Sequence, residues 1–144
     1  MPVSISNDTV KEIAGYLDSG MKCFYHIPTG ELEYYPDDLR GHWGMDMEIW
    51  QETIDNVANN YTEYILFEGL ENYESFQMME AFVAGIAEVK TRQQFEEAIR
   101  FKKPFQNFKF LLLDYPLLQQ DWFDYKKKQY MKLVYDQLDS HNAI

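Results

Sequence analysis

Residues 101–125, FKKPFQNFKFLLLDYPLLQQDWFDY, constrain this chain most: eight of these 25 positions are aromatic (Phe101, Phe105, Phe108, Phe110, Tyr115, Trp122, Phe123, Tyr125). Aromatic side chains bury the largest areas, so the block must organise a core or a contact surface. Pro104 suits the first turn of a helix that gathers Phe105, Phe108, Leu111, Leu112 and Tyr115 on one face. Phe110 and Leu113 fall off that face. Pro116 disfavours helix at Tyr115 and redirects the chain. A last helix over 117–139 carries Leu118, Trp122 and Tyr125 on one side and Tyr130, Val134 and Leu138 on another. Two stripes in one helix imply a bend near Lys126 or two separate contacts.

The remaining segments read as shorter elements. Val10, Ile13, Ala14 and Leu17 recur at helical spacing over 8–18, with Ser19-Gly20 as a stop. MKCFYHI and ELEYY flank Pro28-Thr29-Gly30, a hairpin with a bulge in which Ile27 faces Glu31. That register puts Phe24, His26, Leu32 and Tyr34 on the core side, with Cys23, Tyr25, Glu31 and Glu33 opposite. Residues 36–46 form a loop, and Met47, Trp50, Ile54, Val57 and Tyr61 line a helix over 47–60. TEYILF reads as a third strand. Phe76, Met79, Phe82, Val83 and Ile86 define a helix over 73–88, and Thr91 caps a short one holding Phe95, Ala98 and Ile99. The expected fold is α+β: a small antiparallel sheet of about three strands with a β-hairpin, covered by five or six helices, the C-terminal half all helical. No linker or repeat divides residues 1–144, so one domain is expected.

Charge and composition narrow the function. At 144 residues the chain is long enough for a real core without staples. No run of 18 apolar residues predicts a membrane span, and the N-terminus lacks a signal-peptide pattern. The single cysteine, Cys23, precludes an internal disulfide and fits a reducing cytoplasm. Residues 1–90 carry 4 Lys/Arg against 17 Asp/Glu, and residues 91–144 carry 9 against 7. The first two thirds repel nucleic acid and anionic membranes at long range. That acidity serves solubility, attracts a basic partner, or imitates nucleic acid.

Several stretches taken in order resemble a family of small bacterial proteins, uncharacterised protein family 0158. They are CFYHIPTGELEYY, EYILFEG followed by ESFQMMEAFV, and AIRFKKPFQNFKFLLLDYPLLQQDWFDY, within roughly residues 16–138. The resemblance implies one domain in a bacterial cytosol, and it carries no functional residue, cofactor or activity with it.

Sites of chemistry are sparse. Cys23 and His26 stand three apart on a strand, hence on opposite faces, so neither serves the other as nucleophile and base. Cys23 reads as a packed thiol and His26 as a ring at the core edge. The three histidines show no H-x-x-x-H, and Asp37, Asp38, Asp46 and Glu48 lack the spacing of a dedicated cation loop, so no metal or cofactor is expected. The loop Arg40, His42, Trp43 with Asp46 combines a cation, a titratable ring and a stacking surface, and is the place for a small enzyme's site if one exists. Arg100, Lys102, Lys103 and Lys109 interleave with Phe101, Phe105 and Phe108 as in a nucleic-acid stacking surface, but those rings belong to the apolar helix face. Protein contact remains: Phe110, Leu113 and Tyr130 exceed what one core-facing stripe needs, beside Lys103, Lys109 and Lys127. The leading expectation is a non-catalytic cytosolic protein that binds another protein or a second copy of itself. The alternatives are an unfamiliar enzyme using His42 and an acidic nucleic-acid mimic.

Overall fold

The computed structural model describes residues 2–37 and 47–143, which fall into two compact units. The first comprises residues up to Gly69 together with those from Gln129 onward. It contains α1 (Asn7–Asp18), β1 (Met21–His26), β2 (Leu32–Pro36), α2 (Met47–Asn59) and β3 (Tyr64–Phe67). The Ser6 hydroxyl accepts a hydrogen bond from the Thr9 N–H at 3.2 Å and starts α1, whose Val10, Ile13, Ala14 and Leu17 are all buried. The three strands form an antiparallel sheet in the order β2-β1-β3. The expected α+β architecture is present, with its small sheet, its hairpin and its all-helical C-terminal half.

The hairpin register differs from expectation by one residue. Cys23 pairs with Tyr34, Phe24 with Glu33 and Tyr25 with Leu32. The loop has four residues rather than three, closed by His26 N–H to Glu31 carbonyl at 2.8 Å and by Gly30 N–H to the His26 carbonyl at 2.7 Å. Gly30 supplies the positive φ of 76° that closes this turn. Ile27 leaves the hairpin because its N–H donates instead to the Glu63 carbonyl at 2.8 Å, in the approach to β3. A one-residue slip exchanges the faces of a whole strand. Cys23 therefore shares a buried surface with Ile65 and Phe67, and on that side Tyr16 of α1 stacks on Tyr34 at 4.1 Å.

Phe24 heads the opposite face, where it stacks on Tyr35 and meets Tyr64 edge-on. There Tyr64 donates to the Glu33 carboxylate at 2.7 Å, and Asn56 of α2 donates to both partners. Burial, and then the hydrogen bond to Glu33, push the Tyr64 phenol up to about 12. A proton held more tightly in the fold than in the unfolded chain stabilises below the unfolded value of about 10, and that contribution is lost as pH rises through about 12. Tyr64→Phe should therefore flatten the alkaline fall in stability across that window, read as urea midpoint against pH.

The remainder of the first unit comes from the end of α6 (Pro116–Asn142). Tyr130, Val134 and Leu138 are buried, and two side-chain amides imitate peptide groups. Gln137 accepts from the Glu68 N–H at 2.9 Å and donates to the Glu68 carbonyl at 2.8 Å. Asn142 does the same for Val3, at 2.8 and 2.9 Å. Each amide satisfies both polar groups of a segment that no strand partner reaches.

The second unit, residues 70–128, holds α3 (Asn72–Ala84), α4 (Val89–Ala98), α5 (Pro104–Leu112) and the first half of α6. Its core joins Met79, Val83, Phe95, Phe108, Leu112 and Trp122. Phe108 meets Trp122 edge-on at 4.9 Å and Phe95 at 5.6 Å, the arrangement that aromatic quadrupoles favour. The two stripes of α6 thus serve separate cores. The expected helix over 73–88 stops at Ala84, where Gly85 caps it, although Ile86 stays buried. Glu88, not Thr91, caps α4: its carboxylate accepts from both the N–H and the hydroxyl of Thr91.

Lys103 introduces α5 with φ 60°, a left-handed conformation for a residue with a side chain. Asn107 holds this corner by donating to the Ala98 and Lys102 carbonyls, each at 3.0 Å. Left-handed backbone costs a non-glycine residue on the order of 1 kcal/mol. Lys103→Gly should accordingly raise stability by about 0.5 kcal/mol or more in urea unfolding, despite the added freedom of the unfolded chain.

Candidate protein interface

The aromatic block divides into core and surface along its helical period. Phe108 and Leu112, one turn apart on α5, are buried, while Phe110 is 71% and Leu113 63% exposed. At about 100° per residue, Phe110 lies opposite the Phe108–Leu112 stripe and Leu113 lies about a quarter turn off it, which leaves both largely exposed. Phe101 and Phe105, expected in the core, are exposed as well. They sit at the corner before α5 and in its first turn, ahead of the residues the core encloses.

Phe105, Lys109, Phe110 and Leu113 form one wall of a groove of about 770 Å³, and Trp122, Phe123 and Lys126 of α6 stand on its other side. On α6 the lining residues Gln119, Trp122, Phe123 and Lys126 follow the helical spacing i, i+3, i+4, i+7, one face of the helix. Trp122 is the buried floor and Phe123 the half-exposed rim. The Lys126 ammonium lies 5.8 Å from the centroids of both rings, a cation–π position. The groove is apolar with two ammonium groups and no carboxylate in its lining.

Of the residues singled out for a partner surface, the structure brings Lys109, Phe110 and Leu113 together. Lys103 and Lys127 are exposed but lie outside the groove lining. Tyr130 is buried at 7% exposure in the first unit, since the second stripe of α6 has its own core. Sequence reasoning missed Phe123 and Lys126; extending the Trp122 position by one and four residues along the helix would have found them. Arg40, His42, Trp43 and Asp46 lie outside the described residues.

Cys23 and His26 have structural surroundings of their own. Cys23 is fully buried, and burial pushes its thiol up to about 12, far from a nucleophile's range. His26 joins a carboxylate–imidazole–hydroxyl chain that the sequence did not show: its Nε2 lies 3.0 Å from Glu63 Oε1 and its Nδ1 2.7 Å from Thr29 Oγ1. The Thr29 oxygen also accepts from the Glu31 N–H at 3.2 Å, so the chain braces the exposed hairpin loop against the residue preceding β3. Among the described residues no three His, Cys, Asp or Glu side chains are grouped to hold a metal ion. No helix among them is long and apolar enough to cross a membrane.

Comparison with known proteins agrees with the sequence resemblance. A UPF0158 protein of Pseudomonas aeruginosa is 28% identical over 120 residues, covering 82% of this chain and 78% of that one. No solved structure matches. The model of an uncharacterised protein family, UPF0158, matches residues 21–143, which include the hairpin, the third strand and the whole aromatic block. The chain belongs to this family.

Proposed function

We propose that this is a non-catalytic cytosolic protein that works by binding another protein through the α5–α6 groove, and that the bound element is an apolar helix carrying carboxylates. The observation that carries this reading is the groove itself: exposed Phe110, Leu113 and Phe123 around a Trp122 floor, with Lys109 and Lys126 as its charged groups. Aromatic anchors in a pocket supply most of the affinity of such contacts, and rim lysines supply orientation and salt dependence. An apolar groove between two helices is the setting in which an amphipathic helix docks by its apolar face.

A photo-crosslinking residue at Leu113, introduced in the organism of origin, should yield one discrete heterologous adduct. With that partner purified, Phe110→Asp should weaken binding by a factor of about 10 or more, and Lys109→Glu should weaken it in a manner that salt suppresses. An adduct at twice the mass of the chain would assign the groove to a second copy. Wild-type affinity in Phe110→Asp would remove the groove from the contact.

A further inference from the structure

The second unit carries another cleft, of about 720 Å³, between the α3–α4 connection and the corner where α5 turns into α6. Its lining includes Phe82, Ile86, Leu118 and Tyr125, with Tyr115 beside them. The charged groups that line it are all carboxylates, Glu88, Asp114 and Asp121, the reverse of the α5–α6 groove. Phe82 is held in place by ring contacts with Phe108, Trp122 and Tyr125, and Tyr115 donates a hydrogen bond to Gln94. These walls are therefore preformed rather than recruited on binding.

We infer that this cleft binds an organic cation with an apolar body, a ligand of a class distinct from the proposed partner helix. A cleft of this volume matches a small molecule rather than an extended macromolecular surface. The apolar body would cover Ile86 and Leu118. The cationic head would meet the aromatic faces and the rim carboxylates, two attractions that act together. Glu88 is already engaged with Thr91, whose hydrogen bonds hold it below the usual carboxylate range and keep it charged. Asp114 and Asp121 are both exposed, and among the described residues no lysine or arginine forms an ion pair with either. An anion of the same shape would meet repulsion at the rim.

Benzyltrimethylammonium, titrated into the isotope-labelled full chain, is the direct probe, with phenylacetate as its anionic counterpart. Saturable amide shifts are expected at Ala87, Leu118 and Asp121, with a Kd on the order of 1–10 mM for a probe of this size. Phenylacetate should bind at least about tenfold more weakly, and the exposed double variant Asp114→Asn/Asp121→Asn should lose about five- to tenfold for the cation while leaving the fold intact. Equal binding of cation and anion, affinity unchanged in the double variant, or no saturation by about 50 mM would each overturn the inference. Shifts at these amides that grow with protein concentration alone would also overturn it, by giving the cleft to a second copy.

Discussion

Phe108→Ala should destabilise the protein by about 3–5 kcal/mol, the range for removing a buried ring that its neighbours cannot replace. Phe108 is 1% exposed and touches Phe82, Phe95 and Trp122, so its loss leaves a cavity bounded by rings from three helices. Trp122→Ala belongs to the same class, because that indole is the floor of the groove and also a member of the core. Phe110→Asp, two residues along the same helix, should change stability by no more than about 1 kcal/mol, the residue being a new carboxylate near the C-terminus of α5. Chemical unfolding of the three variants checks this contrast. It also separates folding from binding: a partner lost by Phe110→Asp in a fully stable protein is lost for want of a contact.

The second large effect is expected at Val134→Asp. Val134 is fully buried in the part of α6 that completes the first unit, and an unpaired carboxylate there should cost more than about 4 kcal/mol. Such a loss is a large share of a total stability of about 5–15 kcal/mol. Cys23, in the core of the same unit, reports on it. In the wild type its buried thiol, raised to about 12, should react with a thiol reagent at least about a thousandfold more slowly than in urea. Val134→Asp should bring that rate most of the way to the unfolded value. Full protection of Cys23 in the variant would mean that this end of α6 does not support the sheet.

These contrasts also show where sequence reasoning succeeded and where it could not. The buried stripes of α1, α5 and α6 were legible because burial on a helix follows a 3.6-residue period that local composition displays. Phe110 and Leu113 could be picked out for the same reason, as departures from the stripe. The hairpin register was not legible. Its loop length turned on Ile27 donating to Glu63, a partner 36 positions away in sequence. Tyr130 was misplaced for a related reason, since it belongs to a unit most of whose residues come from the beginning of the chain. The brace at His26 needed both the four-residue loop and Glu63, so neither half of it stood out alone.

That the first unit is built from two separated stretches of sequence has a consequence for biosynthesis. Residues 70–128 are contiguous and can condense as soon as they have left the ribosome, whereas the sheet-bearing unit waits for the final turns of α6. The usual N-to-C order of maturation is thus inverted, because the hairpin, though made early, belongs to a unit whose last residues come from the end of α6. Stop codons or proteolytic clips within the last two or three turns of α6 should therefore spare the middle of the polypeptide and strand its beginning.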